Sequence, residues 1–229
     1  MENKNILFTL LLIVLPLFCL VGQNNKGLTS SKSTQSVIVS LGTEYCFADT
    51  KESVTKQSPL KNIDMSFGLR IKYPTNFGYR VNVGYSTFTG SDGASVSRSY
   101  SFASKTIQLS AMGEYTLSFG EAYETSSTPN SIYFFAGVGL LNCRANLDYY
   151  PKANYQYKAD TNNSPFIPFG MGYQYNFSNN FQLGVEYNVR WSFSDYLDGF
   201  KPPRSASKSM DMLQGFSITL GYKIMGCRE

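Results

Sequence analysis

Histidine is absent from the 229 residues. Its absence removes the imidazole general base, the Ser-His and Cys-His nucleophile pairs and the usual zinc triad. Carboxylate or lysine chemistry is what remains. Charge is also scarce, at 16% of residues against roughly 25% in an average soluble protein. The net charge of +4 is small and scattered, which argues against a nucleic-acid partner. No apolar run reaches the roughly 20 residues of a membrane-spanning helix. What is plentiful is aromatic: 17 Tyr and 17 Phe, with 19 Gly. So aromatic a chain is not disordered, and Tyr and Phe favour strands. The length suits one domain better than two.

The first segment reads as an address. Lys4 supplies a positive start, Ile6 to Leu15 an apolar stretch, and Gly22 a small residue at a cleavage point, the three parts of a secretory signal over residues 1–22. A membrane anchor would need a longer run, and Pro16 interrupts this one. Cys19 raises the alternative of a lipidated Cys, but bulky Phe18 precedes it where a small residue is wanted. Export permits disulfides, yet Cys46, Cys143 and Cys227 are odd in number and show no framework or metal-site spacing. They read as small hydrophobes.

From Val37 onward the mature chain alternates. Ile63, Met65, Phe67, Leu69 and Ile71 oppose Asp64, Ser66, Gly68, Arg70 and Lys72. Phe77 to Tyr85, Ile107 to Leu117, Ile167 to Phe177, Phe181 to Trp191 and Phe216 to Ile224 repeat the pattern. Period two places each set on one face of a strand. The block from Ile132 to Cys143 is apolar on both faces, with Tyr133, Phe135 and Leu141 opposite Ile132, Phe134, Val138 and Leu140. Eight strands result, the even count that outer-membrane barrels use. Pro74–Asn76 and Ser178–Asn180 are short turns, whereas residues 48–61, 89–102, 144–165 and 193–211 read as long polar loops. With both termini in the periplasm, all four long loops fall outside. The Gly120–Asn130 connection is longer than a periplasmic turn should be, as a tolerated insertion or a partner contact would make it.

Which face meets water follows from size. Several dozen apolar side chains cannot fit inside eight strands, whose interior holds side chains or one small ligand. Turned outward they form a lipid-facing band edged by Tyr45, Tyr73, Phe77, Phe177, Phe181 and Trp191. The expected fold class is all-β, an eight-stranded antiparallel up-and-down transmembrane barrel of outer-membrane type over residues 35–224. A periplasmic segment (23–34) precedes it and a periplasmic tail (225–229) follows. The interior then carries Glu44, Asp64, Glu114 and Glu186 with Arg70, Lys72, Arg80, Arg190 and Lys223. Buried charges persist when paired, so Glu44, Asp64, Arg70, Arg80, Glu114, Glu186 and Arg190 are expected to form a salt-bridged, filled lumen. Glu114 with Glu186 is also the carboxylate pair a catalytic reading would choose. Apart from that pair no catalytic, cofactor-binding or metal-ligating set emerges, and no small-molecule substrate is evident.

The run Phe181–Phe200, FQLGVEYNVRWSFSDYLDGF, resembles the signature of the PorG-like outer-membrane barrels. There a strand with an inward Glu and Arg leads into a motif matched here by Ser194, Asp195, Tyr196, Leu197 and Asp198. The closing segment Gly215–Lys223 and the short tail with Cys227 and Arg228 resemble that family as well. The resemblance implies a non-catalytic component of the type IX secretion system, held in the lipid of the outer membrane. It also implies partners, the periplasmic ring of PorK lipoprotein and PorN, which the barrel would anchor or organise. Contacts to that ring would come from residues 23–34, Gly120–Asn130 or Met225–Glu229. Asp195, Tyr196 and Asp198 would stand at the external rim, as turn-capping carboxylates and an interfacial Tyr. A general surface barrel, anchor or adhesin, working through its long loops is the alternative.

Overall fold

In a computed structural model the described residues are 33–47, 61–73, 75–91, 99–119, 130–150, 161–178, 180–194, 197 and 211–224. The expected signal segment, residues 120–129 of the long connection and the tail after Ile224 lie outside them, as do Asp195, Tyr196 and Asp198. Eight strands form: β1 (Thr34–Phe47), β2 (Ile63–Lys72), β3 (Phe77–Ser91), β4 (Ser99–Phe119), β5 (Asn130–Tyr150), β6 (Thr161–Asn176), β7 (Phe181–Ser192) and β8 (Met212–Ile224). Each pairs antiparallel with its neighbour in sequence, and β1 pairs with β8 to close the barrel. Closure leaves no edge strand.

The expected short turns join β2 to β3 and β6 to β7. At the first, Asn76 adopts φ 65°, a left-handed conformation that Asn tolerates better than most residues, and its carbonyl accepts from Thr116 N–H at 2.8 Å. At the second, Ser178 Oγ accepts from Phe181 N–H at 3.0 Å. This end of the barrel, the turn end, also carries the start of β1 and the finish of β8. The connections β1–β2, β3–β4, β5–β6 and β7–β8 leave from the opposite, loop end, and the long β4–β5 connection leaves from the turn end.

The alternation is realised as an inside-out protein. Val39, Leu41, Phe67, Val83, Val138, Val185 and Ile218 are among the exposed side chains, with Val138 at 67%, while Arg80, Glu44, Thr106 and Ser86 are among the most buried. No charged side chain stands on the middle of the outer face among the described residues. In hydrocarbon a Lys or Arg there would cost about 2–4 kcal/mol.

Two strands run further than the sequence pattern indicates. β4 and β5 have 21 residues each, so much of 89–102 and part of 144–165, read as loop, is ladder. The physical reason is an inversion of polarity at the loop end. Outward positions become Thr87, Thr89, Ser101, Lys105, Arg144 and Asn146, while inward positions become Phe88, Phe102, Leu141, Cys143 and Ala145. Period two continues through the inversion, but the rule that apolar means outward stops where the apolar band stops.

Candidate functional site

The lumen is built in layers. Nearest the turn end lies a cluster of four charges from four strands. Arg70 and Arg80 are direct partners across β2 and β3, an arrangement that like charges disfavour. Two carboxylates from elsewhere in the barrel resolve it. Glu114 of β4 lies 2.7 Å from Arg70 Nε and 3.2 Å from Arg80 Nε. Glu186 of β7 lies 2.5 Å from Arg80 Nη1 and 3.7 Å from Arg70 Nη2. The cluster is electrically balanced, two against two.

Aromatic side chains of β5 complete it. Tyr133 donates its hydroxyl to Glu186 Oε1 at 2.6 Å. The Arg70 guanidinium sits 4.7 Å from the Tyr133 ring centre and Arg80 4.6 Å from that of Phe135, within cation–π range. Gly172 makes this packing feasible, because a Cβ there would run into the Tyr133 ring. The doubly apolar pattern of β5 is thereby explained: its inward face supplies the wall on which both guanidiniums stack.

A second cluster lies toward the loop end. Arg190 of β7 grips Asp64 of β2 with two hydrogen bonds, of 2.9 and 3.2 Å, and also binds Glu44 of β1. All seven charged residues singled out in the sequence are buried, and they form these two groups rather than one continuous network. Lys72 and Lys223 stand at the turn end of the lumen, outside both groups. Between the clusters lies a cavity of about 30 Å³ lined by Arg80, Asn82, Gln108, Asn188 and Arg190, large enough for water. Glu114 and Glu186, the pair a catalytic reading would select, are each engaged by guanidinium donors.

Above the charges the lumen turns apolar. Cys46, Phe88, Phe102, Leu141, Cys143, Phe166, Leu197 and Leu213 pack into one buried cluster. Seven of these belong to strands. Leu197 comes from the connection after β7 and is 0% exposed, so its side chain sits inside the barrel mouth. Its backbone is held on both sides: the N–H donates to Asp211 Oδ2 at 2.7 Å, and the carbonyl accepts from Ser104 Oγ at 2.6 Å. Ser194, the other described residue of the five-residue motif, accepts from the Asn162 side chain, and its carbonyl accepts from Asp211 N–H at 3.2 Å.

The alternation along the chain indicates no plug, and the motif resemblance gives Leu197 no separate role. The available signal was the inward phase itself, in which Phe88, Phe102, Leu141, Phe166 and Leu213 recur at positions facing the lumen.

The architecture has known counterparts. The barrel is similar to a major outer membrane protein from Thermus thermophilus, with a TM-score of 0.50 and 14% identity over 84% of this chain and 100% of that one. It is similar to Ail, the attachment invasion locus protein of Yersinia pestis, with a TM-score of 0.48 and 11% identity over 84% of this chain and 99% of that one. Outer membrane protein OprG from Pseudomonas aeruginosa matches with a TM-score of 0.46 and 12% identity over 87% of this chain and 100% of that one. At such identities the likeness establishes the fold, a closed eight-stranded barrel of the outer-membrane type. No curated protein matches the sequence. The family model that does match is DUF6089, described as a domain of unknown function; it spans residues 26–215, and the chain belongs to that family.

Proposed function

We propose that this chain is a non-catalytic barrel of the bacterial outer membrane. In this reading it serves the type IX secretion system by anchoring or organising a periplasmic ring of PorK and PorN type. The observation that carries the reading is the filled lumen. Two charge clusters and an apolar plug occupy the interior and leave a cavity of about 30 Å³, so what the molecule offers a partner is its two ends and its rim. The exposed apolar band supports placement in lipid, since burying it in a bilayer satisfies the hydrophobic effect that water would oppose. The resemblance of Phe181–Phe200 and Gly215–Lys223 to PorG-like barrels supports the secretion role. Residues 1–22 act as the export signal, and 23–34, Gly120–Asn130 and 225–229 are the segments available on the periplasmic side.

Tagged protein from outer membranes tests this reading. Ring components are expected to co-purify, and deletion is expected to abolish type IX secretion. Intact secretion after deletion, with no ring component recovered, overturns it.

A second reading, a surface anchor or adhesin, draws support from β4 and β5, whose polar loop-end halves project beyond the apolar band. Replacing the loop-end connections by short turns separates the two. Secretion survives that change under the first reading, whereas surface attachment is lost under the second.

A further inference from the structure

Three described basic side chains lie outside the lumen. Lys61, Lys105 and Arg144 are all exposed at the loop end of the outer face. The carboxylates whose side chains are described, Glu44, Asp64, Glu114, Glu186 and Asp211, are all buried. Charge on the outer surface is therefore of one sign and at one end, among the residues whose side chains are described.

These three cations form a row. Lys105 and Arg144 are direct partners across β4 and β5. Thr87 of β3 is the partner of Lys105 on its other side, and the Thr87 hydroxyl donates to the Lys61 carbonyl at 3.0 Å. Lys105 and Arg144 thus stand side by side, and Lys61, which precedes β2, approaches them from across Thr87 of β3. None of the three basic side chains makes an ion pair or hydrogen bond with another side chain among the described residues.

The lumen shows what such a pair requires. Arg70 opposite Arg80 is the same like-charge arrangement, and the fold sets Glu114 and Glu186 upon it. Among the described side chains no such acid stands beside Lys105 and Arg144, and like charges directly opposed destabilise a sheet. An anion from outside the chain would remove that repulsion.

Position identifies the anion. Ile107, one outward step from Lys105 toward the turn end, is 47% exposed and belongs to the apolar band. With the rise and tilt of barrel strands, that step is about 5 Å along the membrane normal. The row therefore lies where headgroup phosphates lie, on a surface that faces lipid. Arg and Lys together suit a phosphate, the first through its planar fork and the second as a point charge.

We propose that Lys61, Lys105 and Arg144 form a binding arc for the phosphate of an anionic lipid in the loop-side leaflet. The inference rests on the membrane reading above. Its test is native mass spectrometry of the detergent-purified barrel with lipid A, with phosphatidylcholine or with inorganic phosphate added.

Lipid A is expected to be retained over phosphatidylcholine. Its affinity is expected to fall roughly fivefold for each cation removed, so about a hundredfold in Lys61→Gln/Lys105→Gln/Arg144→Gln. Lys72→Gln, at the other end of the barrel, should bind as the parent does. Equal retention by parent and triple variant overturns the proposal. So does inorganic phosphate that binds alone as strongly as lipid A, which would mark a soluble-anion site. The single variant Lys105→Gln makes the same comparison at smaller amplitude should the triple variant fold poorly. A barrel that inserts into vesicles yet ignores lipid A refutes this inference alone, whereas one that stays monomeric in water without detergent refutes the membrane reading with it.

Discussion

Arg80 and Glu186 meet at 2.5 Å across the lumen, from β3 and β7, strands that share no ladder. The contact ties opposite walls of the barrel together through its interior. A buried pair of this kind is costly to break from one side, because the remaining charge keeps its desolvation cost and loses its partner.

Arg80→Gln is therefore expected to lower the folding free energy by about 3–5 kcal/mol. Combining it with Glu186→Gln is expected to cost less than the sum of the single changes. Equilibrium folding into lipid vesicles across a urea series measures both. Additive single effects would mean that the two side chains do not act as a pair.

Leu197 tests the plug. Leu197→Ala empties part of a buried cluster and is expected to cost about 2–5 kcal/mol, as for other buried leucines. A loop residue lying on the surface would change stability by no more than about 0.5 kcal/mol, and a value in that range would place Leu197 outside the barrel.

The lumen predicts the electrical behaviour. With charge clusters below, a plug above and about 30 Å³ between them, the barrel in a planar bilayer is expected to give no steady open level. Persistent large conductance steps from monomeric protein would contradict the filled interior.

The legible part of the fold was the part where one physical rule holds throughout. Across the apolar band the outside is uniformly apolar and the inside polar, so period two identified the strands and their two faces, and the bulk of the apolar face then set it outward and the seven charges inward. The rule fails in two places. At the loop end the polarity inverts, and Phe102 and Cys143, inward in the ladder, stood in or beside segments rich in Ser and Asn. On β5 the inward aromatics serve the arginines of β2 and β3, a requirement set by neighbours in space and invisible along the strand. How seven charges divide into two clusters also depends on register between strands. Arg190 reaches Asp64 and Glu44 on β2 and β1, more than a hundred residues away in sequence.

Trp191 is the single tryptophan of the chain, lies outward on β7 at the loop-end rim and is 49% exposed. Its fluorescence reports directly on the medium around the apolar band. With the barrel folded into vesicles, phospholipids brominated on the upper acyl chain are expected to quench Trp191 strongly, and aqueous acrylamide only weakly. Strong quenching by acrylamide with none by the brominated lipid would show that water surrounds this face, and would contradict the account at its foundation.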